Sequence, residues 1–317
     1  MNLKGHLPRL AAAISIWAIL GGASALAAPI KVTFLYTPVN AFIGIFVAKD
    51  EGYLMKHGVD VDLTIAQNGS VISAALVANS AQIGGPTPTV LLQANEQGLD
   101  LVEIAGTGNY PQQTKTGVIA RKDSGIHNAA DLVGKKVGVP GIGGIIDVLT
   151  RNWVKTHGVD YHRVHWVELQ FPQMGDALKT GLADAVALVD PFYSRVIASN
   201  VGYNIGDYGE AVPDGTVPVV YATTRSWAMN NAEAVKGFRS ALKEAEAFLR
   251  NPANLATTRQ ILAKYTHLPP AVAATLAIPE RLDVDPTPQS MVFWIKVSRD
   301  QGLIKGDPDP KSVMIVP

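Results

Sequence analysis

The feature that most constrains the fold is a repeated alternation of short β-forming segments with helical segments. Strands are predicted at 31–36 and 59–65, and the second of these alternates between apolar and polar residues, as a half-buried strand does. Helices with their apolar residues mostly on one face are predicted nearby, over 42–50 and 70–79. Strand–helix units joined by short loops favour parallel strands covered by helices on both faces. The chain is therefore predicted to be an α/β protein.

The alternation occurs in two blocks, which predicts two lobes. Further strands are predicted at 81–84 and 99–105 in the first block, and at 137–139, 164–169 and 185–189 in the second. Two additional β segments, at 117–121 and 217–223, are placed where the chain would cross between the blocks. We therefore predict that residues 28–117 together with 220–317 form lobe one and that residues 118–219 form lobe two. The two crossing strands would act as the hinge, with a ligand held between the lobes.

The composition favours a protein with a large core and a neutral surface. Hydrophobic residues make up 47% of the chain and charged residues 17%, which argues against disorder. Basic and acidic residues number 27 each, so there is no electrostatic case for binding nucleic acid or an acidic membrane surface. The absence of cysteine excludes disulfides, thiol nucleophiles and zinc–thiolate or iron–sulfur sites. We expect no cofactor and no bound metal.

Residues 1–27 have the three parts of a secretory signal peptide. Lys4 and Arg9 supply the positive start, residues 10–20 form an apolar run, and Ala25-Leu26-Ala27 offers small residues to a signal peptidase. The alternative is a membrane anchor, but this apolar run is shorter than the roughly 20 residues that a membrane-spanning helix needs. We predict a periplasmic protein without stable membrane insertion.

A glycine-rich segment, 134–147, is the strongest local candidate for a binding site. A short strand is predicted before a tight turn at Gly141, Gly143 and Gly144, and a helix is predicted from Ile145 onward. Backbone N–H groups at the start of a helix are unpaired and lie at the positive end of the helix dipole, so they can hold an anion or a polar ligand group. The alternative for the glycines is close packing of strand on helix. If they bind ligand, a bulky residue at Gly143 should weaken ligand binding far more than folding.

Three other kinds of site match the sequence only weakly. The turn with Glu168 beyond the next strand imitates a dinucleotide-binding fingerprint, but its glycine spacing is incomplete. His157, His162 and His165 are spaced loosely like metal ligands, although an exposed connector explains them more simply. A serine hydrolase would normally carry a Gly-x-Ser-x-Gly elbow, which this chain lacks, but scattered Ser, His and Asp residues leave that chemistry open.

Four motifs in a fixed order connect the chain to a known family. They are FVAKDEGYLMKHGVDV at 46–61, ALVANSAQIG at 75–84, DLVGKKVGV at 131–139 and the tripeptide Asp190-Pro191-Phe192. Together they resemble the signatures of periplasmic solute-binding proteins of ABC importers of the nitrate/sulfonate/taurine type, with which the thiamine-precursor binders (THI5-like, NMT1-like) are grouped. The similarity extends over roughly residues 29–250. At Ser80-Ala81-Gln82 the sequence differs from the residues that the family usually carries in the second motif.

The resemblance implies a type II periplasmic-binding-protein fold that closes around a small organic solute, either anionic or aromatic. It also implies an ABC importer permease as partner, and we expect a monomer that is not an enzyme. The alternative is an exported enzyme of the pyrimidine-precursor synthase type, acting on a ring substrate in the same cleft. That enzyme depends on a cysteine-rich stretch that this chain lacks.

Ligand-contacting residues are expected in the loops that follow the strands, because these loops line the crevice of an open α/β sheet. The candidates in lobe one are Asn40, Phe42, Ser70 with the preceding Gly69, Gly85, Thr87, Asn109 and Tyr110. The candidates in lobe two are Gly143, Gly144, Asp190 and Phe192, and Tyr221 is a candidate on the returning strand.

Each of these candidates also has a purely structural explanation. Asn40, Ser70 and Asp190 could serve as helix caps, and Phe42 could be a core aromatic residue. The loops contain no Arg or Lys apart from Lys115 at one margin, whereas a nitrate or sulfonate site would more usually pair the anion with a cation. Helix N-termini alone can hold an anion, so that possibility stays open. We favour an organic ligand with a ring or an apolar body.

Overall fold

A computed structural model describes residues 1, 28–108, 115–279 and 281–315, so the predicted signal peptide lies almost wholly outside the described residues. The strands are β1 (Ile30–Tyr36), β2 (Val59–Ile65), β3 (Ile83–Gly84), β4 (Leu101–Gly106), β5 (Thr116–Arg121), β6 (Lys136–Val139), β7 (His165–Glu168), β8 (Ala185–Val189), β9 (Gly202–Gly206) and β10 (Val220–Thr224). The α-helices are α1 (Ile43–Asp50), α2 (Tyr53–Lys56), α3 (Gly69–Val77), α4 (Pro88–Glu96), α5 (Ile145–Thr156), α6 (Met174–Thr180), α7 (Phe192–Ala198), α8 (Arg225–Asn230), α9 (Ala232–Leu249), α10 (Leu255–Thr266), α11 (Pro270–Ala273) and α12 (Pro288–Asp300).

The first sheet has the strand order β2-β1-β3-β10-β4. The β1 strand pairs in parallel with β2 from Ile30 opposite Val59 to Tyr36 opposite Ile65. Only β10 runs against its neighbours, β3 and β4. The register buries Val59 and Val61 of β2 and leaves Asp62 exposed, which is the alternation that the sequence predicts.

The second sheet repeats this plan with the order β7-β6-β8-β5-β9. The strands β7, β6 and β8 are parallel, and β5 is the antiparallel member. Each sheet is therefore mixed and mostly parallel, and the predicted fold class is confirmed. The two β segments assigned to the crossings lie inside the sheets, as β5 and β10. The exact lobe boundaries stay a prediction.

Two short elements differ from the sequence-based prediction. The β9 strand was not predicted, because its sequence Gly-Tyr-Asn-Ile-Gly is short and has glycine at both ends. The sequence over 126–132 predicts a short helix, whereas the structure has a 3-10 turn at Ala129–Leu132, where Asn128 caps the start and Asp131 completes a capping box. Neither difference changes the topology around the site.

The two lobes share one hydrophobic cluster along the α4, α5 and α12 side of the molecule. Leu91 of α4, Trp153 of α5 and Trp294 of α12 are buried in it, and the indole N–H of Trp294 donates to the backbone oxygen of Val217 at 2.9 Å. A second cluster fills lobe one around Phe34 and includes other aromatic residues of that lobe. Within the described part of the chain, none of the helices is both long and apolar enough to cross a membrane.

Candidate functional site

A cavity of about 130 Å³ lies between the lobes, at the ends of strands from both sheets. Its wall consists of Thr37, Val39, Asn40, Ala41, Gln67, Asn68, Gly69, Thr87, Val90, Gly108, Pro140, Gly141, Gly144, Ile145, Ile146, Phe171, Val189, Pro218, Val219 and Pro279. Aliphatic, proline and glycine residues dominate this wall, with threonine and amide side chains as the polar groups. No charged side chain belongs to the wall among the described residues.

The candidate Asn40 lies in the wall, in a 3-10 turn that follows β1. Its side chain is 2% exposed, and its Nδ2 donates to the backbone oxygen of Ala277 at 3.1 Å. No hydrogen bond to its Oδ1 is found within the described ranges. The hydrogen bond to Ala277 therefore fixes the orientation of the Asn40 amide, and its Oδ1 is available as an acceptor beside the cavity.

The start of α3 also reaches the cavity, through the candidate Gly69 and through Asn68, which was not a candidate. Asn68 is the N-cap, since its Oδ1 accepts from the backbone N–H of Val71 at 3.0 Å, and both Asn68 and Gly69 line the wall. Ser70 is exposed and does not belong to the wall. The predicted cap at Ser70 is therefore two residues too late. Thr87, which precedes Pro88 at the start of α4, is in the wall as predicted.

The glycine turn of lobe two contributes Gly141 and Gly144 to the wall. The backbone N–H groups of Ile145 and Ile146 at the start of α5 have no hydrogen-bond partner among the described residues, and no side chain caps this helix. These N–H groups are donors beside the cavity, as the sequence predicts for a glycine turn that opens a helix. Gly143, in contrast, is not part of the wall.

The N–H of Gly143 is already used within the turn. It donates to Oδ2 of Asp147 at 2.8 Å, and Oδ1 of Asp147 accepts from Nε of Arg151 at 2.7 Å. Burial raises the pKa of the Asp147 carboxyl above its ordinary value, and the hydrogen bond from Arg151 opposes that increase. Gly143 has φ of +74°, a conformation that favours glycine. Asp147 therefore holds the shape of the turn rather than contacting ligand.

Phe171 is the aromatic residue of the wall, and the sequence analysis missed it. It follows the end of β7 by three residues, so an aromatic side chain directly after a predicted strand was the available signal. Phe192, the predicted stacking residue, lies behind it: the two rings are 4.6 Å apart and 6° from parallel. Phe192 is thus a support for the wall and not a member of it.

Three other candidates are not brought to the cavity, because they belong to the lobe-one core. Phe42 and Tyr221 are fully buried with ring centroids 6.1 Å apart. Gly85 packs against Phe42 so closely that an added Cβ would lie 2.2 Å from its ring. This contact explains the glycine by packing. Contact of these residues with a ligand stays a prediction without support from their positions.

Of the last three candidates, the structure describes only Asp190, and it does not belong to the wall. Asp190 is buried beside a second cavity, and its Oδ1 accepts from the backbone N–H of Ser194 near the start of α7 at 3.0 Å. Asn109 and Tyr110 lie outside the described residues.

Side-chain hydrogen bonds connect the two lobes around the first cavity. They are Gln93 Nε2 to the oxygen of Gly143 at 2.8 Å, Asn68 Nδ2 to Oε1 of Glu168 at 3.4 Å, and Gln301 Nε2 to the oxygen of Val148 at 2.8 Å. The first two involve residues of the glycine turn or of the cavity wall. They hold the lobes together next to the place where a ligand would lie.

Two curated relatives share about a quarter of their residues with this chain. A formylaminopyrimidine-binding protein of Halalkalibacterium halodurans is 26% identical over 220 residues, covering 68% of this chain and 64% of that protein. A putative binding protein of Brucella abortus is 28% identical over 221 residues, covering 69% of this chain and 66% of its own length. The aligned part thus spans slightly less than two thirds of either relative.

Solved structures show the same fold at lower identity. The alkanesulfonate-binding protein SsuA from Xanthomonas axonopodis pv. citri, bound to MOPS, matches with a TM-score of 0.78 and 21% identity, over 91% of this chain and 99% of that one. The periplasmic nitrate-binding protein NrtA from Synechocystis PCC 6803 matches with a TM-score of 0.76 and 14% identity, over 90% and 85% of the two chains. The periplasmic-binding-protein fold is confirmed by these likenesses.

The family is shown by a match to a family model. The NMT1/THI5 like model matches residues 39–254, which is more than half of the chain and includes the described walls of the cavity from Val39 to Val219. This protein therefore belongs to the NMT1/THI5-like family.

Proposed function

We propose that the protein captures a small, uncharged organic solute with a planar ring in the cavity between its lobes and delivers it to an ABC importer. The observation that carries this proposal is the uncharged and mostly apolar wall, to which residues of both lobes contribute. Such a wall gains most from a ligand with an apolar body and a few hydrogen-bonding groups.

The size of the cavity supports a ligand of one ring. A dry apolar cavity of about 150 Å³ in another protein accepts benzene, and the present cavity measures about 130 Å³. Phe171 can stack on the face of such a ring, with Phe192 behind it. Asn40, Thr87 and the free N–H groups of α5 are available for ring nitrogens or an amide.

The charge of the wall argues against a bare anion as the ligand. Nitrate or a sulfonate would normally be paired with Arg or Lys, and neither lines this cavity in the described part of the chain. The formylaminopyrimidine-binding relative, whose named ligand is a nitrogen-containing ring with an amide, supports the neutral alternative. The two anion-binding structural neighbours share the fold at 21% identity or less.

The same wall supports binding without catalysis. General acid–base chemistry needs a titratable side chain close to the reacting atoms, and the described wall contains no His, Asp, Glu or Lys. We infer that the protein acts in the periplasm as a monomer that closes on its ligand and releases it to a permease.

Native mass spectrometry of freshly purified protein tests the proposal, followed by calorimetry with a formylaminopyrimidine, nitrate and methanesulfonate. We expect the pyrimidine to bind, and to be recovered unchanged after denaturation of the protein. Tight binding of nitrate without any binding of the pyrimidine would refute the neutral ring, and recovery of a converted product would favour an enzyme.

A variant of the aromatic wall tests the position of the ring. Phe171→Leu should weaken binding of the pyrimidine by about 2- to 12-fold, since an aromatic pair contributes about 0.5–1.5 kcal/mol. Phe293→Leu is the matched control, because Phe293 is a partly buried aromatic residue that lies outside the cavity wall. If the two substitutions weakened binding equally, the ring of the ligand would not lie against Phe171.

A further inference from the structure

A second and larger cavity, of about 580 Å³, lies beside the first. The two are separated by neighbouring residues of the same segments: Val189 and Pro279 line the first cavity, whereas Asp190 and Ile278 line the second. Asp190 and Lys115, which stand next to strands β8 and β5 of the second sheet, line one side of it, and the helices near the C-terminus of lobe one contribute the rest of its described wall. Like the first cavity, it has walls from both lobes.

The two cavities differ in charge. Lys115, Arg250 and Arg259 line the second cavity together with a single carboxylate, that of Asp190. That carboxylate is buried and accepts from the N–H of Ser194, so the start of α7 already offsets part of its charge. The described wall of this cavity therefore has an excess of positive charge.

The cations that line this cavity differ in whether they have an ion-pair partner. Arg250 is exposed and lies 3.9 Å from Glu246, one turn earlier on α9. Neither Lys115 nor Arg259 makes an ion pair within residues 28–108, 115–279 and 281–315. The Nε of Arg259 is, in addition, a buried donor without a hydrogen-bond partner in that part of the chain.

A guanidinium group that lines a cavity and has no ion pair within the described ranges points to an anionic partner in that cavity. Buried donors in native proteins nearly always have a partner, which can be a bound ion or water, and a missing partner costs about 1–3 kcal/mol or more when the group is charged. The guanidinium group fits the oxygens of a carboxylate or phosphate better than any other side chain does. Arg259 and Lys115 both line the cavity, so an oxyanion bound there could contact both cations.

We propose that the second cavity binds the oxyanion group of an organic acid, with Arg259 as its principal partner and Lys115, next to β5 of the second sheet, as a second cation. The cavity is much larger than a lone inorganic anion needs. Leu249, Leu255, Leu276 and Ile278 provide apolar surface for the rest of the molecule. The site is separate from the cavity of the proposed solute and has the opposite preference for charge.

Three probes separate the parts of this proposal: benzoate, benzamide and acetate, measured by calorimetry on the full mature protein at constant ionic strength. Benzoate and benzamide have the same shape and differ in charge, whereas benzoate and acetate share the carboxylate and differ in the apolar body. We expect benzoate to bind more tightly than either of the others in a manner that depends on Arg259.

Variants of Arg259 connect the binding to this cavity. Arg259→Gln should weaken benzoate by at least about 10-fold, because a hydrogen bond to a charged group contributes about 1.5–3 kcal/mol. Arg259→Lys keeps the charge and loses the planar guanidinium group, so its affinity for benzoate should lie between those of the parent protein and of Arg259→Gln. Lys236→Gln is the control, since Lys236 is an exposed cation on α9 outside both cavities. The unfolding transition of each variant without ligand checks that it is folded.

Several results would overturn the proposal. Benzoate affinity that is unchanged in Arg259→Gln would place any binding elsewhere, including the one-ring cavity. If Arg259→Gln weakened benzamide binding as much as benzoate binding, the site would not recognise charge. If acetate bound as tightly as benzoate, the apolar part of the ligand would not contribute to binding. Binding of the pyrimidine in the first cavity is measured separately on the same variants. Failure of the anion site therefore leaves the proposed solute site to its own test.

Discussion

The hydrogen bond from Gln93 to the oxygen of Gly143 gives a direct test of how the lobes hold a ligand. It joins α4 of lobe one to the glycine turn of lobe two at 2.8 Å. If the lobes separate to release ligand, this bond has to break. Gln93→Met keeps the length of the side chain and the helix propensity but removes the donor. We therefore expect it to weaken ligand binding and to leave the fold of each lobe intact.

The size of the effect follows from what is lost in the closed state. A net protein hydrogen bond is worth about 0.5–1.5 kcal/mol, which corresponds to an increase of about 2- to 12-fold in Kd. The carbonyl of Gly143 then stays without this partner at the lobe interface, which favours the upper part of that range. The free energy of unfolding without ligand should change by less, about 0.5 kcal/mol, because the side chain is only partly buried.

Calorimetry with the ligand identified by native mass spectrometry gives the Kd, and urea unfolding gives the stability. Gln97→Met is the matched control, since Gln97 directly follows the same helix, is exposed and makes no side-chain hydrogen bond within the described residues. An unchanged Kd in Gln93→Met would show that this bond does not contribute to closure. A loss of stability as large as the loss of binding would assign Gln93 to ordinary packing instead.

Three further predictions concern the supports of the site. Burial raises the pKa of Glu103 to about 8 from 4.5, and Asp283 adds to the increase, so between these pH values the folded protein keeps a proton that the unfolded chain releases. The free energy of unfolding should therefore fall by about 1.4 kcal/mol per pH unit as pH rises through this window. Urea unfolding measures this fall, and Glu103→Gln should show none from this source. Asp147→Asn should lower the free energy of unfolding by about 1–3 kcal/mol, because the amide cannot accept from both of its present donors; an unchanged urea midpoint would contradict this role. Gly85→Ala should lower the thermal midpoint by displacing Phe42, and a variant as stable as the parent would show that the core has room there.

The topology could be predicted from the sequence because strand and helix patterns are local. The alternation in β2 and the apolar spacing of α5 depend on which residues face the core, and these residues are separated by two, three or four positions. The order of the strands in space is less local, but short connections and the handedness of strand–helix–strand units restrict it strongly. The β9 strand was missed because its pairing with β5 supplies what its own short sequence does not.

The candidate site was harder to predict, since a residue in a strand-end loop can face either the cleft or its own lobe. Asn40 and Phe42 are two positions apart in one turn, yet Asn40 lines the cavity and Phe42 fills the core beneath Gly85. Nothing in the local sequence separates these outcomes. Phe171 and Phe192 show the same ambiguity in lobe two. Phe192, which belongs to the family motif, packs behind Phe171 and does not line the cavity.

The described wall of the first cavity contains no Arg or Lys, whereas that of the second contains Lys115, Arg250 and Arg259, and the reason lies in where the residues come from. Asn68, Thr87 and the glycine turn, which build part of the first cavity, follow predicted strands and were therefore inspected as loops. Arg250 and Arg259 come from the end of α9 and from α10, helices that bury apolar residues such as Leu242 and Ile261 in the core of lobe one. A charge on such a helix normally indicates a solvated face, and only the packing of α10 near Lys115 turns it towards a cavity. The neutral cavity and the cationic one therefore make independent demands on a ligand, and a molecule that satisfies one has no reason to satisfy the other.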